Sequence, residues 1–243
     1  MRVLLLQHDH VSPAGPVAER FAHRGFEVVE RIVVPAERFR TPNVDFTFPD
    51  PREYDVLVPM GAPWGAWDDA TIGKWLLPEI AWLRRADELG VPVFGICFGG
   101  QLLARAHGGT VARAPRPEIG WSSVWSQRSD ILGSGPWFQF HYDRWTVPSG
   151  ADEIARNSIA SQAFVLRRNL AVQFHPEITP YGFMLWMQND GRRRVEADGQ
   201  DPDILYQHLL AEQEDAADRA HRLVDAFLDR VAGIAPKDPG TDR

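Results

Sequence analysis

An α/β fold, with a mostly parallel central sheet, helices on both of its faces and an antiparallel edge, is predicted by three observations. Short apolar runs alternate with segments of helical spacing through roughly the first hundred residues. Those runs are continuous rather than alternating, as strands buried on both faces must be. The two clearest helical segments of this half end on Gly25 and Gly90, each placed to cap the chain as it leaves the helix.

Taken in order, "RVLLLQ" at residues 2 to 7 is the first strand, and "PVAERFAHRG" from Pro16 carries helical spacing up to Gly25. "FEVVERIVV" reads as a second strand and "DVLVPM", residues 55 to 60, as a third that is fully buried. A helix is expected over Pro78 to Leu89, where Ile80, Leu83 and Ala86 keep three-residue steps. "VPVFGI" is the fourth strand. In the second half the alternation with helices stops, and "GTVARA", "GWSSVWSQ", "WFQFH", "AFVLRR" and "LAVQFH" read as strands joined by turns, some of them antiparallel at the sheet edge. Helices return with "YGFMLWMQ", "PDILYQHLLAEQ" and "AADRAHRLVDAFLDRVAG", and the charged stretch "NDGRRRVEADGQD" between them reads as a solvated loop. The chain of 243 residues, 44% apolar, suits one domain over residues 1–235, with a frayed tail at 236–243.

Acidic residues outnumber basic ones by 33 to 26, for a formal charge of -7, so nucleic acid is not an expected partner. No run of about 18 apolar residues offers a membrane span, and the N-terminal run is too short for a signal peptide. A cytoplasmic protein is expected. The single cysteine excludes an intrachain disulfide and leaves one thiol for chemistry or for burial.

That thiol, Cys97, stands between Gly95 and Gly99 in "GICFGGQ", between an apolar strand and the helical run "GQLLARAH". A G-x-C-x-G sequence at a strand-to-helix turn is a version of the nucleophile elbow, in which glycines at minus two and plus two admit a tight, strained turn. At a helix start the unpaired N–H groups and the dipole favour thiolate over thiol. The amide of Phe98 would face the same side, ready to hold an oxyanion. Packing of Cys97 in the core is the alternative, and a lone cysteine usually does that.

A cysteine nucleophile needs a base. Among the eight histidines, His175 in "AVQFHPEIT" ends an apolar strand, with Glu177 two positions on and therefore on the same face of an extended chain. Pro176 keeps His175 out of helical geometry. A carboxylate so placed fixes the imidazole tautomer that can act on the thiol. The loop "PMGAPWGAWDD" after the third strand offers Gly61 and Ala62 as a second source of backbone N–H, or is simply a turn over packed tryptophans. His8 and His10 lack a third ligand at a recognised spacing and read as loop residues, and no metal site is expected.

Together "GICFGGQ", "VQFHPEIT" and "GAPW" resemble the class I glutamine amidotransferases, over approximately the first 190 residues. The resemblance implies an α/β (flavodoxin-like) sandwich in which a Cys-His-Glu triad attacks the side-chain amide of glutamine and passes through a glutamyl thioester, with no cofactor. Carried over, Cys97 is the nucleophile, His175 the general base and acid, and Glu177 the orienting carboxylate. Phe98 and Gly61 would be the oxyanion donors, although "GAP" stands where many relatives have "GGP". Gln101 matches a glutamine that contacts the amino acid end of the substrate. "FQFHYDRWTVPSGA" resembles a region of the GMP synthetase amidotransferase domain, which makes Tyr142 and Asp143 expected substrate contacts; His141 in this loop reads as a structural or hydrogen-bonding support, with a second catalytic role as the lesser alternative.

No large acceptor domain and no G-x-x-x-x-G-K-S/T phosphate loop is present, so a separate synthetase subunit, or none, is expected as partner. The alternatives to glutamine hydrolysis are cleavage of γ-glutamyl conjugates, a non-catalytic regulatory subunit, and a redox-responsive thiol, against which the "HPE" sequence argues.

Overall fold

The computed structural model describes residues 1–133 and 135–234; the expected tail at 236–243 lies outside them. Parallel strands β1 (Arg2–Gln7), β2 (Glu27–Ile32) and β3 (Val56–Pro59) form a sheet in the order β2-β1-β3. A parallel bridge from Leu57 to Val93 continues it to β4 (Phe94–Ile96). Beyond β4, β10 (Asn169–Val172) is parallel, and β9 (Ser161–Leu166), β8 (Asp152–Arg156) and β6 (Trp125–Ser126) follow antiparallel. β5 (Val111–Ser123) and β7 (Pro136–Trp145) make a separate antiparallel ribbon, bulged between Arg113 and Glu118.

The continuous apolar runs fill two layers because successive side chains of a strand point to opposite faces. Val3, Leu5, Val56, Val58, Phe94 and Ile96 face one layer, under α1 (Gly15–His23) and the C-terminal helix. Leu4, Leu6, Leu57 and Val93 face the other, under α2 (Asp69–Glu88) and α3 (Phe98–Ala106). The edge strand β2 buries little, which is why its run is half charged.

Four sequence expectations are corrected. The second helix begins at Asp69, not Pro78: the Asp68 side chain caps it by accepting from the Thr71 amide, and Pro78 sits inside it. Burial of Ile72, Trp75, Leu76, Glu79, Ile80, Trp82, Leu83 and Ala86 along one stripe outweighs the roughly 3 kcal/mol that an internal proline costs. The two segments after residue 201 are one helix, α6 (Pro202–Ala226), rather than two. "GTVARA" and "GWSSVWSQ" are largely one long strand, β5, and "DEIAR" is a strand that the pattern did not single out. The charged stretch after α4 (Pro180–Trp186) is not a solvated loop throughout: Asn189 and Asp190 make a sharp turn, with φ of 78° at Asp190, leading into α5 (Arg192–Ala197).

Candidate active site

The C-terminal ends of β3, β4 and β10 lie side by side in the sheet, and the segments leaving them converge on one cavity of about 330 Å³. Ligands of open α/β sheets collect at this end of the strands.

The elbow is built as its glycines require. Cys97 adopts φ 49° and ψ -105°, a conformation that costs about 1–3 kcal/mol for a residue with a side chain. The strain is held by the bond from the Cys97 amide to the Val172 carbonyl at 2.8 Å and from the Gly99 amide to the Met60 carbonyl at 3.0 Å. A Cβ on Gly99 would stand 2.0 Å from the Pro59 carbonyl oxygen, and one on Gly95 2.7 Å from that of Gly99. No larger residue fits without moving the backbone that aims the thiol.

His175 follows directly on the short run after β10, its amide donating to the Phe138 carbonyl at 2.8 Å. Its Nδ1 lies 2.7 Å from Oε1 of Glu177, whose side chain is buried behind it. Trp186 of α4 packs its ring edgewise on the imidazole at 4.9 Å. Burial alone would lower the His175 pKa, but the Glu177 carboxylate, by charge and hydrogen bonding, and the nearby Cys97 sulfur, by charge, outweigh it and hold the pKa well above the ordinary histidine value. Nε2 has no nitrogen or oxygen partner among the described residues, which leaves it to the thiol or to a substrate. Gly61 is close-packed on both: a Cβ there would meet His175 Cε1 at 3.1 Å and Cys97 Cβ at 4.0 Å.

Cys97, His175, Gly61, Phe98, Gln101, Tyr142 and Asp143 all line the cavity, while Glu177 stands behind His175. Phe98 opens α3, so its amide has no intrahelical acceptor. Gln101 is turned into the protein: its Nε2 donates to the Asp143 carbonyl at 3.4 Å and to Gln173 Oε1 at 3.3 Å. Tyr142 is half-buried between the guanidinium groups of Arg113 and Arg194, 5.7 and 5.8 Å from its ring. Asp143 is buried, with Arg113 Nε 3.5 Å from its Oδ1. His141 takes the supporting place: Nδ1 donates to the Asp143 carbonyl at 3.0 Å and Nε2 lies 3.1 Å from Glu118.

Other residues at the site were given no role by the sequence. Gln173 donates to Cys97 Sγ at 3.7 Å, and its position two before His175 was a usable signal, since both share one side of an extended strand. Glu118 joins His141 to Gln162 and Asn157 across the β5–β7 ribbon, a link between distant segments that leaves no local pattern. Asn189, Arg193 and Arg194 bring the charged stretch to the cavity wall, with Asp190 pairing both arginines.

Residues 73–187 match the family model "Glutamine amidotransferase class-I". This segment, just under half of the chain, is thus similar to the class I glutamine amidotransferases. The chain is 33% identical over 159 residues to the glutamine-hydrolyzing GMP synthase of Aeropyrum pernix, covering 57% of this chain and 31% of that one. It is 41% identical over 110 residues to the corresponding enzyme of Methylobacillus flagellatus, covering 38% and 21%. The alignments thus span about a fifth to a third of these curated relatives. Its fold is that of a glutamine amidotransferase from Thermotoga maritima, with TM-score 0.80 and 22% identity over 94% of this chain and 98% of that one. A glutamine amidotransferase from Methylobacillus flagellatus also superposes with TM-score 0.80, at 24% identity, over 100% and 98%. Among the described residues no helix is long and apolar enough to cross a membrane.

Proposed function

We propose that this chain hydrolyses the γ-carboxamide of glutamine through a thioester on Cys97, releasing glutamate and ammonia. The observation that carries the reading is a strained cysteine at a strand-to-helix elbow, sharing one cavity with a histidine whose far nitrogen is held by a buried carboxylate. The Cys97 thiolate adds to the amide carbon, and the oxyanion is received by the Phe98 amide and an amide of the 61–62 loop. The C–N bond then breaks as imidazolium His175 passes its proton to the leaving ammonia. Neutral His175 next takes a proton from water, which attacks the thioester and frees glutamate and the thiol. Glu177 keeps the imidazole in the required orientation and stabilises its charged form throughout. Gln101, Tyr142 and Asp143 form the wall expected to receive the amino acid end. The glutamine-hydrolyzing GMP synthase relatives support a synthetase as the ammonia acceptor.

A second reading, cleavage of γ-glutamyl conjugates, is favoured by one observation. The cavity of about 330 Å³ is also lined by Arg113, Arg193 and Arg194, which offer charge to a leaving group larger than ammonia. Turnover of glutamine beside γ-glutamyl dipeptides, for wild type and Cys97→Ala, tests both readings. Wild-type activity on either substrate that vanishes in the variant is expected, and full activity in the variant overturns the mechanism.

A further inference from the structure

Two titratable side chains lie beneath the oxyanion loop, outside the proposed reaction. His8, at the end of β1, and Glu79, on α2, are each 0% exposed. His8 Nε2 lies 3.0 and 3.1 Å from the two carboxylate oxygens of Glu79, and Nδ1 lies 3.1 Å from the carbonyl oxygen of Gly61. The imidazole is clamped between Trp75, stacked at 5.5 Å, and Phe98, edgewise at 4.8 Å. Neither ring nitrogen faces a donor: one meets a carbonyl and the other a carboxylate. With Glu79 ionised, His8 satisfies both as an imidazolium donating two N–H bonds. Burial opposes that charge, but Glu79, by charge and hydrogen bonding, and the Gly61 carbonyl overcome it and raise the His8 pKa.

In a trans peptide the C=O and the following N–H point in opposite directions, and no cis bond occurs among the described residues. The bond to His8 turns the Gly61 carbonyl into the protein. It therefore turns the N–H of Ala62 the other way, toward the cavity that Gly61 and Ala62 line and His8 does not. We infer that the buried His8–Glu79 pair is a positioning device for the oxyanion hole: it locks the Gly61–Ala62 peptide plane so that Ala62 presents the second N–H. The inference rests on the hydrolase reading, and extends it from the residues around the thiol to a pair that touches no substrate. His8 acts through the peptide, so its loss is felt where negative charge develops and not in ground-state binding.

Replacement of the pair by apolar residues, His8→Leu with Glu79→Met, removes both charges together, a change that buried ion pairs often tolerate. The expected result is a folded protein whose kcat falls by about 10²–10³-fold, the usual loss for one oxyanion donor, with KM nearly unchanged. Alkylation of Cys97 by 2-bromoethylamine, a displacement at carbon with no carbonyl oxygen to enter the oxyanion hole, should proceed at the wild-type rate. His8→Asn with Glu79→Gln restores a donor near Nδ1 without the charges and should recover most of the lost kcat. Wild-type kcat in the apolar variant overturns the inference, as does an equal loss in both variants accompanied by slow alkylation. A further readout needs no turnover: in the wild type both His8 ring nitrogens should carry slowly exchanging protons in ¹H–¹⁵N spectra. A missing Nδ1 proton overturns the positioning role even if the wild type hydrolyses no γ-glutamyl compound, whereas inactivity of the wild type alone strikes only at the hydrolase reading.

Discussion

Glu177→Gln is the substitution whose consequence follows most directly from the geometry. The carboxylate oxygen lies 2.7 Å from His175 Nδ1, and the side chains of both residues are almost wholly buried, so solvent cannot replace the lost charge. The amide is nearly isosteric and the packing against Gly15, where φ is 42° and a Cβ would meet the Glu177 carbonyl at 2.4 Å, is untouched. The effect is therefore electrostatic. An imidazolium left without its partner at a buried site loses about 3–5 kcal/mol, and the glutamine NH₂ can also donate to Nδ1, moving the ring proton to Nε2, where it blocks acceptance from water. If the whole penalty falls on the transition state, the rate drops by about 10²–10⁴-fold. Steady-state glutaminase or γ-glutamyl peptidase assays near neutral pH measure it, with thermal unfolding as the control for folding. A kcat/KM within about threefold of wild type in a normally folded variant, a difference under about 1 kcal/mol, would refute the orienting role.

Gly99→Ala places a methyl 2.0 Å from the Pro59 carbonyl oxygen; overpacking against backbone costs about 3 kcal/mol, so calorimetry should show Tm lower by roughly 6–12 °C at about 2–4 °C per kcal/mol. Gln101→Leu strips Gln173 Oε1 of its donor and the Asp143 carbonyl of one of two, which should lower stability by about 1–3 kcal/mol in urea titrations and raise KM more than it lowers kcat. The stability that the His8–Glu79 pair supplies has a defined pH window. Because the folded-state pKa of His8 is raised, that contribution is fully present below the unfolded value near 6.5 and is lost as pH rises through the folded value. Tm followed upward from about pH 6 should therefore fall more steeply in wild type than in the His8→Leu, Glu79→Met variant, and equal slopes would contradict the imidazolium assignment.

The parallel half of the sheet was legible because strands buried on both faces write themselves as continuous apolar runs, and β1, β3 and β4 fall where those runs lie. The beginning of α2 was not, because Pro78 carries a strong local start signal that only tertiary burial of the preceding turns overrides. α5 was hidden for the opposite reason: its arginines look solvated, and the place of Arg193 and Arg194 on the cavity wall follows from the left-handed turn at Asp190. Within the site, Cys97, His175 and Glu177 could be read because glycine spacing and a two-residue strand step are local patterns. The His8–Glu79 pair joins positions 71 apart and the His141–Glu118 pair joins two strands, and no spacing rule brings such partners together before the chain folds.

The covalent state of Cys97 during turnover bears most directly on the central claim. Protein mixed with glutamine, quenched in acid within one turnover and mapped by mass spectrometry, should carry a γ-glutamyl group on the peptide containing Cys97 and nowhere else. Ammonia released at the steady-state rate with Cys97 unmodified at every quench time, and still released by Cys97→Ser, would contradict it.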